Sequence, residues 1–270
     1  MARRFLSLAL AALIPVAALA ATPPAGHVNF VACPILQDTA TVPCWMADYQ
    51  GQRYYLTIQT DASGEIYPPF LGHQALIEGV VSDEPNICGG KVLKPVKISV
   101  LPDLDPACNV MLPDDGRYTV PFAPRGPGPR APVAELIARG LREAQPPGGA
   151  RPPPPSPPFV EKTFTLYFEY DAQRATRSIR EMQAALVYAE AIKARRVEIM
   201  AWRAAPLLSN GERPAEPEWL AERRARELAA VMADIGIDPR VIKVTWRTAA
   251  VNGDGVDDWQ DRRATIRVMP

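Results

Sequence analysis

Hydrophobic and polar positions change their period partway along this chain. In the first half the apolar residues come in short β-branched and aromatic runs: Tyr54-Tyr55-Leu56-Thr57-Ile58-Gln59-Thr60, Ala75-Leu76-Ile77-Glu78-Gly79-Val80-Val81, and residues 92–101. Such runs predict strands, and residues 44–49 and 118–122 are further candidates. Asp61-Ala62-Ser63-Gly64 and Cys88-Gly89-Gly90 punctuate them as turns. In the second half, Phe164, Leu166, Phe168 and Tyr170 alternate with polar neighbours as a half-buried strand. Residues 172–194 then take a helical rhythm, with Ile179, Met182, Leu186 and Ile192 along one face. Residues 197–202 predict another strand. A second helix runs over 216–235, with Leu220, Leu228, Val231 and Met232 inward, and stops at Gly236 ahead of Pro239. Residues 241–246 and 264–268 complete a β-α-β-α-β-β order, an α+β sandwich with its helices on one sheet face.

Proline separates the two halves. The sequence has 30 prolines, and they are densest at Gln145-Pro146-Pro147-Gly148-Gly149 and over residues 152–155. A run of this kind forms neither helix nor central strand and favours extended polyproline conformation. Residues 121–158 therefore read as a linker. Inside it Val133, Leu136, Ile137 and Leu141 fall on one helical face, which fits a short transient helix.

The start of the chain reads as an address. Arg3 and Arg4 precede an apolar run over residues 5–20 that ends in Ala18-Leu19-Ala20, the small-x-small pattern of a secretory signal. The run is short and Ala-rich for a membrane anchor. The expected organisation is a signal peptide over 1–20, a small β domain over 21–120, the linker over 121–158 and an α+β domain over 159–270. Without residues 1–20 the chain holds 28 basic and 30 acidic side chains, and no later stretch is apolar enough to span a membrane. That balance does not suggest nucleic acid, whose binders cluster positive charge.

Cys33, Cys44, Cys88 and Cys108 all precede residue 110. An even number in one small region of an exported chain reads as two disulfides. Three pairings are open, and Cys33–Cys44 with Cys88–Cys108 is favoured because each closes a short loop. Zinc is disfavoured: there is no C-x-x-C spacing, and His27 and His73 are the only histidines. Short strands with disulfides suggest a small barrel or sandwich, an OB-like barrel among the candidates. Trp45, Tyr49, Tyr54 and Tyr55 form either a stacking platform or, as small cores more often use aromatics, core filling.

The second half carries a resemblance. Phe168-Glu169-Tyr170-Asp171 is close to the F-x-F/Y-D opening of the OmpA-like domain. Leu220-Ala221-Glu222-Arg223-Arg224-Ala225 resembles its L-S-x-x-R-A. Met232-Ala233-Asp234-Ile235-Gly236-Ile237 matches its helix end and G-I turn, and Asp261-Arg262-Arg263-Ala264-Thr265-Ile266 stands where the family has N-R-R-V-E-I. Residues 162–270 thus resemble a periplasmic peptidoglycan-binding module, also found in Pal-type lipoproteins and flagellar stator proteins. The resemblance implies a periplasmic protein, in reach of the outer membrane or cell wall, that docks on the diaminopimelate of the peptidoglycan stem peptide.

Family members hold that zwitterion with an Arg on its carboxylate and an Asp on its ammonium, a charge-assisted pairing that suits both groups. The resemblance puts Arg224 in the first role. The second is vacant: the G-H-T-D of the family becomes Ala201-Trp202-Arg203-Ala204, with Ala204 at the Asp position, and Y-N becomes Glu216-Pro217. Losing one partner of such a pair costs about 1.5–3 kcal/mol, so docking is expected to be weak unless Glu212, Glu216 or Glu218 substitutes. The competing expectation is a protein–protein module that does not bind peptidoglycan. Residues 252–261, Asn-Gly-Asp-Gly-Val-Asp-Asp-Trp-Gln-Asp, resemble a calcium loop, but Ala250 stands where the first carboxylate belongs, which favours a polar turn. No cofactor is implied, and no nucleophile–base arrangement or phosphate loop points to an enzyme.

Overall fold

A computed structural model of the chain describes residues 21–59, 68–120, 157–176 and 178–270. The expected signal peptide, the turn at 61–64 and the helix within the linker lie outside these residues.

Seven strands build the first domain: β1 (His27–Ala32), β2 (Pro34–Gln37), β3 (Cys44–Tyr49), β4 (Gln52–Ile58), β5 (His73–Val81), β6 (Lys91–Leu104) and β7 (Val110–Leu112). Their order is β1-β5-β6-β4-β3-β2-β7. This order lends no support to the OB-like candidate. Residues 118–120 are not a strand, while β1, β2 and β7 were not foreseen.

Strand alternation gives the β1-β5-β6 portion two buried faces. Phe30, Ala75, Ile77, Val96 and Ile98 pack with Trp45, Tyr54 and Leu56 in the domain's own core. Trp45 and Tyr54 are therefore core residues, and Tyr49 stacks on Phe30 with ring centroids 4.6 Å apart. The opposite face carries Asn29 and Val31 on β1 and Leu76 and Glu78 on β5, which are cross-strand partners. This face meets the second domain.

Both disulfides form, but with a different pairing from the one favoured by local loop closure. The bonds are Cys33–Cys108 and Cys44–Cys88, with separations of 75 and 44 residues. Topology decides this. Cys33 lies just before β2 and Cys108 just before β7, and β2 pairs with β7. Cys44 starts β3, β3 pairs with β4, and β4 runs parallel to the start of β6, just beyond Cys88. Strand pairing brings distant cysteines together while neighbours in sequence diverge.

In the second domain β8 (Lys162–Tyr167), β9 (Arg196–Ala201), β11 (Ile242–Trp246) and β13 (Arg263–Met269) form a sheet in the order β11-β9-β13-β8. Helices α1 (Ile179–Ala191) and α2 (Leu220–Asp234) complete the domain. Every second residue of β13, namely Ala264, Ile266 and Val268, is buried with Leu166, Val197 and Ile199, against Leu186, Ala189, Ala225, Leu228 and Met232 of the helices. Each fully buried Ile, Val or Leu stabilises by roughly 1.5–3 kcal/mol. Two short strands, β10 (Ala204–Ala205) and β12 (Val251–Asn252), pair in parallel and pin the loops at one end of the sheet. No helix among the described residues is long and apolar enough to cross a membrane.

Candidate functional site

Arg224 is the fifth residue of α2, on the turn that faces the sheet, and its side chain is fully buried. All five guanidinium donors are used. Nε donates to the carbonyl of Ala172 at 2.9 Å. One terminal nitrogen donates to the Trp202 carbonyl at 3.1 Å and to Glu216 Oε2 at 2.9 Å. The other donates to the Glu169 carbonyl at 3.3 Å and to Glu216 Oε1 at 2.6 Å. The Phe168 ring lies 4.5 Å from Cζ, within cation–π range. An arginine has five N–H groups and no acceptor, so Arg224 has none left over for a ligand.

Glu216 is equally buried and equally satisfied. Besides Arg224, its Oε2 accepts from the Ala204 N–H at 2.9 Å and its Oε1 from the Asp171 N–H at 3.0 Å. Of the three acidic candidates for a substitute partner, Glu216 alone reaches the pocket, since Glu212 and Glu218 are exposed. It does so in the sense opposite to a replacement for the missing Asp. Its carboxylate sits on the guanidinium, where the resemblance would put the carboxylate of a ligand. Ala204, at the family's Asp position, contributes its backbone N–H to Glu216.

Arg203 lines the same corner. Its Nε donates to the Thr248 carbonyl at 2.5 Å and a terminal nitrogen donates to the Glu216 carbonyl, which fixes the loop that delivers Glu216. Asp171 follows β8 at φ +56°, and its Oδ1 is buried without a hydrogen-bond partner. Burial first, and the Glu216 carboxylate second, push its carboxyl up to about 6.

Sequence reasoning missed a second buried arginine. Arg262 donates to both Glu78 oxygens, at 3.1 and 2.5 Å, across the domain boundary. Around this pair Val31, Leu76 and Leu101 of the first domain pack on Tyr170 and Leu208 of the second. Asn29 donates its side-chain amide to the Leu207 and Gly255 carbonyls. Glu78 was the available signal, a charged residue inside the otherwise apolar run 75–81, because such a residue demands a partner when buried.

The 252–261 segment organises itself around Asp258. Its carboxylate accepts the backbone N–H groups of Leu207, Asp254 and Gly255 at 2.7–3.1 Å. A Cβ at Gly253 would stand 2.1 Å from Asp258 Oδ2, so the glycine makes room for that carboxylate. The only cluster of metal-ligating side chains among the described residues is Cys33, Asp105 and Cys108, and its two sulfurs are spent in a disulfide.

No protein-family model and no curated protein matches the chain. Among solved structures it is similar to a MotB-like protein from Desulfovibrio vulgaris, at 14% identity and a TM-score of 0.32, over 40% of this chain and 75% of that one. It is also similar to the OmpA-like domain of FopA1 from Francisella tularensis subsp. tularensis SCHU S4, at 16% identity and a TM-score of 0.31, over 41% and 74%.

Proposed function

We propose that this chain is an exported envelope protein that acts as a binding module, not an enzyme, and that its second domain serves protein–protein interaction instead of gripping the peptidoglycan stem peptide through Arg224. The carrying observation is the buried Arg224–Glu216 pair, in which the chain's own carboxylate occupies the guanidinium. A diaminopimelate carboxylate would have to displace Glu216, and breaking a buried pair by removing one partner costs about 3–5 kcal/mol. Such a ligand would also find Ala204, with no carboxylate for its ammonium.

Two disulfides support an oxidising compartment such as the periplasm. Phe70, Leu104 and Met111 are large apolar side chains exposed on the first domain, near the Cys33–Cys108 bridge, where residues 72, 105 and 108 are tied by backbone hydrogen bonds. They suit contact with another protein.

Sedimentation with purified diaminopimelate-type peptidoglycan tests the proposal. The protein is expected to stay in the supernatant while an envelope protein co-purifies with it from membrane extracts. Pelleting with the wall that disappears in Arg224→Lys would overturn it and restore the docking reading.

A further inference from the structure

The boundary between the domains is not fully packed. Two cavities, of about 220 and 260 Å³, open along it, and Lys97 and Trp259 line both. Lys97 projects from β6 with its Nζ 4.5 Å from the centroid of the Trp259 ring. Among the described residues no carboxylate lies within ion-pairing distance of that ammonium. Its cross-strand neighbour Glu78 has both oxygens on Arg262. Trp259 is held in place from two sides: its Nε1 donates to Asp257 at 3.0 Å, and its ring meets Tyr167 edge-on at 5.0 Å.

The side chains of Tyr167 and Trp259 give the first cavity its apolar surface, with the hydroxyl residues Ser99, Thr165 and Ser178 beside them. His27 lines the second cavity, and its Nδ1 is buried without a hydrogen-bond partner.

We propose that this seam binds a small amphipathic monocarboxylate, its aromatic or apolar body against Tyr167 and Trp259 and its carboxylate on Lys97. Ligand sites recur at domain boundaries as mostly apolar clefts with a few convergent polar groups. Among the described residues the Lys97 ammonium is partnered by a ring face, which satisfies it only in part, and a ligand carboxylate supplies an anion through charge-assisted hydrogen bonds. A ligand with a single negative charge is preferred to a polyanion, because Glu169 and Glu181 line the first cavity and Glu78 and Asp257 the second. The buried His27 Nδ1 offers a further polar contact to a ligand that reaches across Lys97.

Phenylacetate, with uncharged phenylacetamide as its isosteric control, probes the site in the intact protein, followed by tryptophan fluorescence. Saturable binding of phenylacetate is expected with a Kd of about 0.1–1 mM, and binding of phenylacetamide at least about tenfold weaker. Lys97→Met, which keeps the apolar stem, is expected to abolish the preference for the acid, and Lys97→Arg to retain it. Circular dichroism and thermal melting establish that each variant is folded. The proposal is overturned by phenylacetate failing to saturate at about 10 mM, by equal affinity for acid and amide, or by Lys97→Met binding phenylacetate as the wild type does.

Discussion

Among the described residues Arg224 and Arg262 are the largest fully buried side chains, and each lies against a carboxylate delivered from elsewhere in the chain. A buried charge without its partner is far more costly than an exposed one. Glu78→Ala is therefore expected to lower unfolding free energy by about 3–5 kcal/mol, read in urea melts. Glu78→Leu combined with Arg262→Met should recover most of that loss, since an apolar pair removes the unmatched charge along with its partner. Asp171 works in the opposite sense. Its carboxyl is raised to about 6 in the fold, against about 4 in the unfolded chain, so the native state binds this proton more tightly. The group therefore costs no stability below pH 4, and its cost grows as pH rises from 4 to 6 and then levels off. Asp171→Asn, which tolerates the positive φ, is expected to stabilise by about 1 kcal/mol at pH 7.5 after allowance for partial exposure. It should change nothing at pH 4, and an equal gain at both pH values would contradict this assignment.

At the scale of elements, period was the most legible property. Strands at Gln52–Ile58 and His73–Val81 answer the expected runs, and both helices are present, because alternation and the 3.6-residue rhythm act locally and survive packing. The helices are shorter than expected: α1 begins at Ile179 and α2 at Leu220, just beyond Pro217, which limits helix to its C-terminal side. Strand β1 was hidden because its two faces are both buried, one in the core and one at the domain boundary, which blurs the polar alternation. The cysteines show where local reasoning fails. Short-loop closure favoured neighbours, but pairing of β2 with β7 and of β4 with β6 sets the partners. Loops of 75 and 44 residues are each worth about 4 kcal/mol in unfolded-state entropy. Peptide mapping without reduction should recover Cys33 joined to Cys108, and Cys33→Ala with Cys108→Ala should cost about 2–5 kcal/mol. A ligand-binding role for Arg224 rests on the resemblance alone. That Glu216 would sit on its guanidinium was not legible, because Glu216 reaches it along a loop spanning residues 206–219.

At the scale of the whole molecule the two domains share a face with a buried ion pair, an apolar cluster and the side-chain bonds of Asn29. This predicts one unit. A protease site inserted near residue 140 and then cut should leave two fragments that co-elute in gel filtration, whereas the same cut in Glu78→Ala should release them. Within this unit the Arg224 guanidinium is taken up by the Glu216 carboxylate, and we infer that it does not grip a stem peptide. Calorimetric titration of the intact protein with a soluble stem peptide ending in diaminopimelate tests that point most directly. The account predicts no saturable binding at about 1 mM peptide. A submillimolar Kd that is lost in Arg224→Lys would contradict it and show that Glu216 yields its place to the ligand.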